Sequence, residues 1–153
     1  MTKKIQKQVP DVIDENKHRI IHQWLERVNA HPELMLLKLS EGERRDHVPD
    51  LLDEALDHAC GHRVAAQERQ KAAERHGTLR YHQGYSIPML ILEAQLLQDA
   101  IAECIGSNLD AIDLSHLIQD ITTISDTITN ELRESARAFI NQEEWRKSEP
   151  HAS

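Results

Sequence analysis

Apolar residues recur along the chain at steps of three and four, and no stretch alternates apolar and polar residues for long. That periodicity belongs to helices packed through one face, and predicts an all-α protein. Ile13, Ile20, Ile21, Trp24, Leu25 and Val28 mark a first helix over residues 10–29. Pro10 suits its first turn, and Asp11, Asp14 and Glu15 favour the positive end of the helix dipole. The loop Ala30-His31-Pro32 closes it, and a short helical turn is expected over residues 33–38. Ser40 followed by Glu43 is a capping box that opens a second helix over residues 40–60. Pro49 either kinks that helix or starts a new one. Leu51, Leu52, Ala55, Leu56 and Ala59 carry its apolar face, and Gly61 weakens its end.

Residues 63–83 are polar, with Val64, Ala65, Ala72 and Leu79 as their few apolar positions. Their Gln, Glu, Lys, Arg and Ala content still predicts a third helix, with a narrow buried stripe. Gly84 can take the left-handed position after its end. Ser86 then caps a fourth helix over residues 86–105, with Pro88 in its first turn. Met89, Leu90, Leu92, Leu96, Leu97, Ala100, Ile101, Cys104 and Ile105 make it the central buried helix. Asp113 opens a fifth helix over residues 113–146. Leu114, Leu117, Ile121, Ile124 and Ile128 step along it like a heptad seam, which Leu132, Ala136 and Phe139 continue after a phase shift. A helix of that span is about 50 Å long, against about 40 Å for the diameter of such a domain. Its C-terminal turns should therefore project, fray or pack on another chain. Thr122, Ser125 and Thr129 beside the seam read as a partly exposed face.

The chain has 153 residues, enough for one domain with a core of its own. Trp24, Trp145, Tyr81, Tyr85 and Phe139 are its only aromatic side chains besides histidine, so Leu, Ile and Ala must supply the packing. The net charge of −8, with dispersed Lys and Arg, argues against nucleic acid and anionic membranes as partners. The Lys3-Lys4-Lys7 start reads as a solvated terminus. No run approaches the roughly 20 apolar residues of a membrane span, and the N-terminus lacks the apolar region of a signal peptide. Cys60 and Cys104 form no paired motif and are expected to be reduced, in a cytoplasmic protein.

One acid, Glu93, interrupts the most apolar helix. A lone carboxylate there needs a partner, and His76 and Arg80 are the nearest in sequence. The three are expected to form a polar cluster at the corner between the third and fourth helices, as a structural ion pair or as part of a signalling site. Gly77, Gly84 and Ser86 are read as its corner and cap residues. Ten histidines raise the question of metal, but the pairs His18/His22 and His58/His62 are not completed to three or four ligands by any Cys/His cluster. They read as solvated faces, and no metal is expected. Only Glu15 and His18 follow the Glu-x-x-His pattern of di-iron bundles. No phosphate loop, nucleophile elbow or Ser/His/Asp context is present, so no enzyme is expected.

Two blocks resemble the RsbRD N-terminal domain family, found in RsbR-type stressosome co-antagonists and similar to the input modules of some bacterial histidine kinases and transcriptional regulators. The first comprises Trp24-Leu25-Glu26-Arg27-Val28, Pro32, and Leu39-Ser40 with Glu43, Asp46-His47-Val48-Pro49, Leu51, Leu52 and Asp53. The second comprises His76-Gly77, Arg80, Gly84-Tyr85 and Glu93 with its apolar neighbours. Together they cover about residues 20–105. The resemblance implies a globin-like or bundle domain of about five main helices, haem-free and homodimeric. It implies a sensory or scaffolding role ahead of an output module such as a STAS domain or a kinase. The chain ends at Ser153 without such a module, and is expected to be either a stand-alone input protein or a fragment. The last helix, through Leu117, Ile121, Ile124, Ile128 and Leu132, is then the expected dimer and transmission element. Two rival readings follow: a haem or small-ligand sensor using His58, His62 or His116, and an interaction adaptor without a stimulus of its own. The shortage of aromatics weighs against a haem pocket.

Overall fold

Asn16, Asp46 and Gly84 are three of the positions where the helical pattern is broken and the chain redirected. The computed structural model describes residues 6–62 and 65–149. The fold is all-α, with no strand among those residues and a long C-terminal helix. In order the helices are α1 (Val9–Glu15), α2 (Lys17–Ala30), α3 (Pro32–Met35), α4 (Glu41–Arg45), α5 (Val48–Ala59), α6 (Ala66–His82), α7 (Ile87–Ser107) and α8 (Leu117–Ser148). Two 3₁₀ turns, Leu109–Ala111 and Leu114–His116, join α7 to α8. The five main helices are α2, α5, α6, α7 and α8.

The predicted first helix is two. Asn16 ends α1, its amide donating to the Val12 carbonyl at 2.7 Å, and α2 restarts at Lys17. The predicted second helix also divides. The Ser40–Glu43 capping box is formed reciprocally, at 3.0 and 3.1 Å, but α4 lasts five residues. Pro49 then sits in the first turn of α5, where its missing N–H costs nothing, so it starts a helix and does not kink one. Arg63 and Val64, the expected start of the third helix, lie outside the described residues, as do Lys3 and Lys4.

α6 ends in a Schellman motif. Gly84 adopts φ +90°, its N–H donates to the Tyr81 carbonyl at 3.2 Å, and the Tyr85 N–H donates to the Arg80 carbonyl at 3.0 Å. The Ser86 hydroxyl accepts from the Met89 N–H at 3.3 Å and caps α7. Asp113 caps only the 3₁₀ turn, accepting from the Ser115 N–H at 3.0 Å, and α8 proper begins four residues later. The N-terminal segment is pinned there too, because Lys7 exchanges backbone hydrogen bonds with Ala111 and Asp113 at 2.8 Å each.

The core gathers the buried stripes of α1, α2, α5, α7 and α8 around Trp24, Ile13, Ile20, Leu52, Leu90, Leu97 and Ile128. The Trp24 indole N–H donates to the Glu93 carbonyl at 3.1 Å and ties α2 to the middle of α7. α8 lies along α6 and also packs on α5 and α7. Its 32 residues give a length of about 48 Å. Beyond Phe139 most of its residues are exposed, including Trp145, so the last turns do stand past the core. No helix among the described residues is long and apolar enough to cross a membrane.

Candidate functional site

The helix break at Asp46 creates the most polar part of the interior. Asp46 ends α4 with φ +38° and ψ −119°, the one positive φ outside glycine among the described residues. For a side chain other than glycine this backbone is strained, and it survives only where the surroundings hold it. Here it aims the carboxylate at two imidazoles. His76 Nδ1 lies 2.6 Å from Asp46 Oδ2, and His47 Nδ1 lies 3.4 Å from the same oxygen. The rings face each other at 4.0 Å between centroids, tilted by 54°.

Each imidazole meets a second carboxylate with its other nitrogen. His76 Nε2 is 3.2 Å from Glu93 Oε2 on α7. His47 Nε2 is 2.6 Å from Glu131 Oε1 on α8. The Ser135 hydroxyl, one turn along α8, donates to Glu131 at 2.7 Å and lies 3.0 Å from the Ala73 carbonyl of α6. Three helices and the α4–α5 junction therefore converge on one network.

Arg80, fully buried on α6, closes the other side. Its Nη2 pairs with Glu93 Oε1 and donates to the Arg44 carbonyl at 2.6 Å. Its Nη1 donates to the Glu43 carbonyl at 2.8 Å and to Gln83 Oε1 at 2.7 Å. The guanidinium thus neutralises Glu93 and satisfies the carbonyls at the end of α4, where a cation is favoured. It also sits 4.6 Å from the Tyr85 ring centroid, within cation–π range. Arg44 is buried by donating to the Leu37 carbonyl at 2.7 Å.

Proton affinities follow these contacts. Burial opposes the charged imidazole of His47, but Asp46 and Glu131 overcome it and raise its pKa to about 9. His76 is raised as well: burial works against it, and Glu93 and Asp46 outweigh burial. Glu93 and Glu131 would be pushed up by burial, yet His76 and Arg80 hold the first below the ordinary carboxylate range, and His47 the second. Asp46 is lowered in the same way, burial being outweighed by hydrogen bonds from His47 and His76.

The cluster borders a cavity of about 750 Å³ lined by Asp46, His47 and His76 together with Asp50, Thr78 and His82. Asp46, His47 and His76 each present one ligand-type atom within 4.8 Å of the others, a set able to hold a cation.

The structure brings His76, Arg80 and Glu93 together, as the apolar setting of Glu93 requires. It adds Asp46, His47, Glu131 and Ser135. Asp46 and His47 stand next to Pro49 in a stretch whose break into two helices is only half legible. Glu131 lies between Asn130 and Leu132 on α8, and nothing in its spacing marks it.

Other expected residues fall elsewhere. Gly84 and Ser86 are at the corner, but Gly77 is not: it sits inside α6 where α8 crosses, and a Cβ there would lie 2.0 Å from the Ser135 carbonyl oxygen. The seam on α8 is not a free dimer face. Ile124 and Ile128 are buried in their own core, and Leu117 and Leu132 pack against it. Ile121 lies at the edge, and the exposed apolar residues are its neighbours Leu114 and Ile118. The three histidines considered for haem do not converge. His58 Nδ1 bonds the Thr127 hydroxyl at 2.9 Å, while His62 and His116 are exposed at separate places. His18 and His22 lie on the exposed side of α2. Cys60 is exposed and Cys104 buried, and both are free.

Comparisons with protein-family models, curated proteins and solved structures found no match for the chain.

Proposed function

We propose that this chain is a non-enzymatic signal-input domain of the kind its two sequence blocks resemble, serving a bacterial stress-response or two-component-type pathway. A change at the buried cluster moves α8, and α8 passes the movement to a partner, such as a kinase or a STAS-type protein, in the cytoplasm. A homodimer completes the reading, with Leu114 in the preceding 3₁₀ turn and Ile118 and Ile121 at the start of α8 as the exposed apolar residues able to meet a second copy.

The observation that carries this is the attachment of α8 to the α4–α5 junction through Glu131 and His47, with Ser135 bound to the same carboxylate. The cluster lies midway along α8, and the last turns of the helix stand clear of the core with Trp145 exposed. A shift of charge or spacing at residues 46–47 therefore acts directly on a helix whose last turns are mostly exposed.

Amide hydrogen exchange of wild type and Glu131→Gln tests the coupling. Transmission predicts altered protection reaching the turns around residues 140–148, far from the substituted side chain. A change confined to the turns next to residue 131 overturns transmission, whatever the stability of the variant.

A further inference from the structure

The geometry points to a zinc-type divalent metal site formed by Asp46, His47 and His76, with its open coordination position on the adjoining cavity. The donor set is two imidazoles and one carboxylate, which suits zinc and disfavours magnesium and calcium, whose ligands are oxygens.

Distances agree with this. Zinc bonds of about 2.0–2.1 Å place neighbouring ligand atoms of a tetrahedron about 3.4 Å apart. Asp46 Oδ2 and His47 Nδ1 are 3.4 Å apart. Asp46 Oδ2 and His76 Nδ1, at 2.6 Å, need to open by about 0.8 Å to reach that edge. One donor from each of the three residues already lies within 4.8 Å of the others.

The surroundings are those of ligating histidines. A metal-bound imidazole characteristically donates its other N–H to a carboxylate, which fixes the tautomer and the ring plane. Both histidines have this partner: His76 Nε2 meets Glu93 at 3.2 Å and His47 Nε2 meets Glu131 at 2.6 Å. Glu93 is in turn fixed by Arg80, and Glu131 by Ser135. Both Nδ1 atoms are thereby directed at the same Asp46 oxygen.

The charge also closes. Without metal, the carboxylates of Asp46, Glu93 and Glu131 are balanced by the Arg80 guanidinium and the two imidazole protons. A divalent cation bound to the neutral rings replaces those two protons and leaves the net charge of the cluster unchanged. The strained backbone of Asp46 is what presents its oxygen to both rings.

Three protein ligands leave a fourth position, as in sites that hold water or an exchangeable ligand. It opens on the cavity of about 750 Å³, where Asp50, Thr78 and His82 supply polar groups. A small anionic or neutral oxygen donor is the chemical class that fits there. This inference goes beyond the signalling reading and stands without it, since it concerns metal stoichiometry and not helix motion.

The test uses the full chain, freed of metal by a chelator and dialysed against Zn²⁺. About one equivalent should bind, with a rise in thermal midpoint, and Co²⁺ should give the visible bands of a tetrahedral site. Asp46→Asn keeps the size of the side chain and, like His47→Gln, should weaken binding more than about 100-fold. Glu131→Gln should weaken it about 10–100-fold through the orienting hydrogen bond. His22→Gln, on the surface, should leave it unchanged. Because cluster variants can lose the fold, imidazole ¹⁵N spectra of the wild type are recorded as well, in which His47 and His76 should shift as Nδ1 ligands. No retained zinc, undiminished binding by the folded Asp46→Asn and His47→Gln variants, or shifts confined to surface histidines would each overturn the site.

Discussion

Glu131 on α8 and His47 at the start of α5, 84 positions apart in sequence, meet at 2.6 Å. Both side chains are mostly buried, so neither is well solvated without the other. A double-mutant cycle with His47→Gln and Glu131→Gln should give a coupling of about 1–3 kcal/mol, because residues within one buried network are not additive. Chemical denaturation of the four proteins measures it. Additive losses would mean that α8 is held by helix packing alone, and would remove the mechanical link on which transmission depends.

Glu93 should be the most costly acid to neutralise. It is buried against Arg80 and His76, and Arg80 itself has no exposed surface. Glu93→Gln keeps the volume but leaves a buried guanidinium without its counter-charge, a loss of roughly 3–5 kcal/mol. For a domain of this size that lowers the thermal midpoint by about 10 °C or more. Scanning calorimetry on wild type and variant decides the matter, and an unchanged midpoint would show that the Glu43 and Arg44 carbonyls suffice for Arg80.

Gly77 and Gly106 should respond in opposite directions to alanine. At Gly77 the added methyl would sit 2.0 Å from the Ser135 carbonyl, a backbone atom that cannot rotate away, so α6 and α8 must separate. The expected loss is at or above about 3 kcal/mol, the upper end for overpacking, with disruption of the nearby Ser135–Glu131 contact. At Gly106, inside the last turn of α7, nothing lies within 4 Å of the new methyl. There alanine should stabilise by about 0.5–1 kcal/mol through helix propensity alone. Urea unfolding of the two variants checks both signs, and a tolerated Gly77→Ala would show that the helix crossing is looser than its geometry implies.

The comparison of Gly77 with Glu93 also shows what a sequence can and cannot carry. Glu93 is legible because its neighbours are apolar at every helical step, and burial of a charge demands a partner within reach of the same corner. Gly77 reads as a corner residue because glycine most often ends helices, whereas its role is set by a helix that arrives nearly sixty residues later. The caps at Ser40 and Ser86 and the turn at Gly84 are local chemistry and fall where their residues place them. The breaks at Asn16 and Asp46 interrupt runs with good helical periodicity, so periodicity does not announce them. That is also why Asp46 and His47 escape a reading by spacing: the usual signal for paired histidines is a four-residue step on one helix, and this pair joins two elements through a strained residue. The α8 seam was legible as apolar, but periodicity alone does not say whether an apolar stripe faces its own core or another chain.

His58 gives a pH dependence separate from the cluster. The Thr127 hydroxyl has a single proton, which it donates to the Thr123 carbonyl at 2.9 Å, so His58 Nδ1 is the donor in its own 2.9 Å contact with Thr127. Partial burial lowers the pKa of the ring below its ordinary 6.5, and the nearby Arg69 lowers it further, against a smaller opposing effect of Asp57. A lowered folded value means that the unfolded chain binds the proton more readily. The contribution to stability is therefore fully present above pH 6.5 and is lost as pH falls through the folded value. The ring is only partly buried, so the effect on stability should be small, and the midpoint itself is the better readout. Titration followed by imidazole proton shifts should place His58 below 6.5, and Arg69→Gln should move it part of the way back while leaving the burial effect in place. If the midpoint does not move in Arg69→Gln, burial alone sets it, and the positive charge of Arg69 is screened by solvent at that distance.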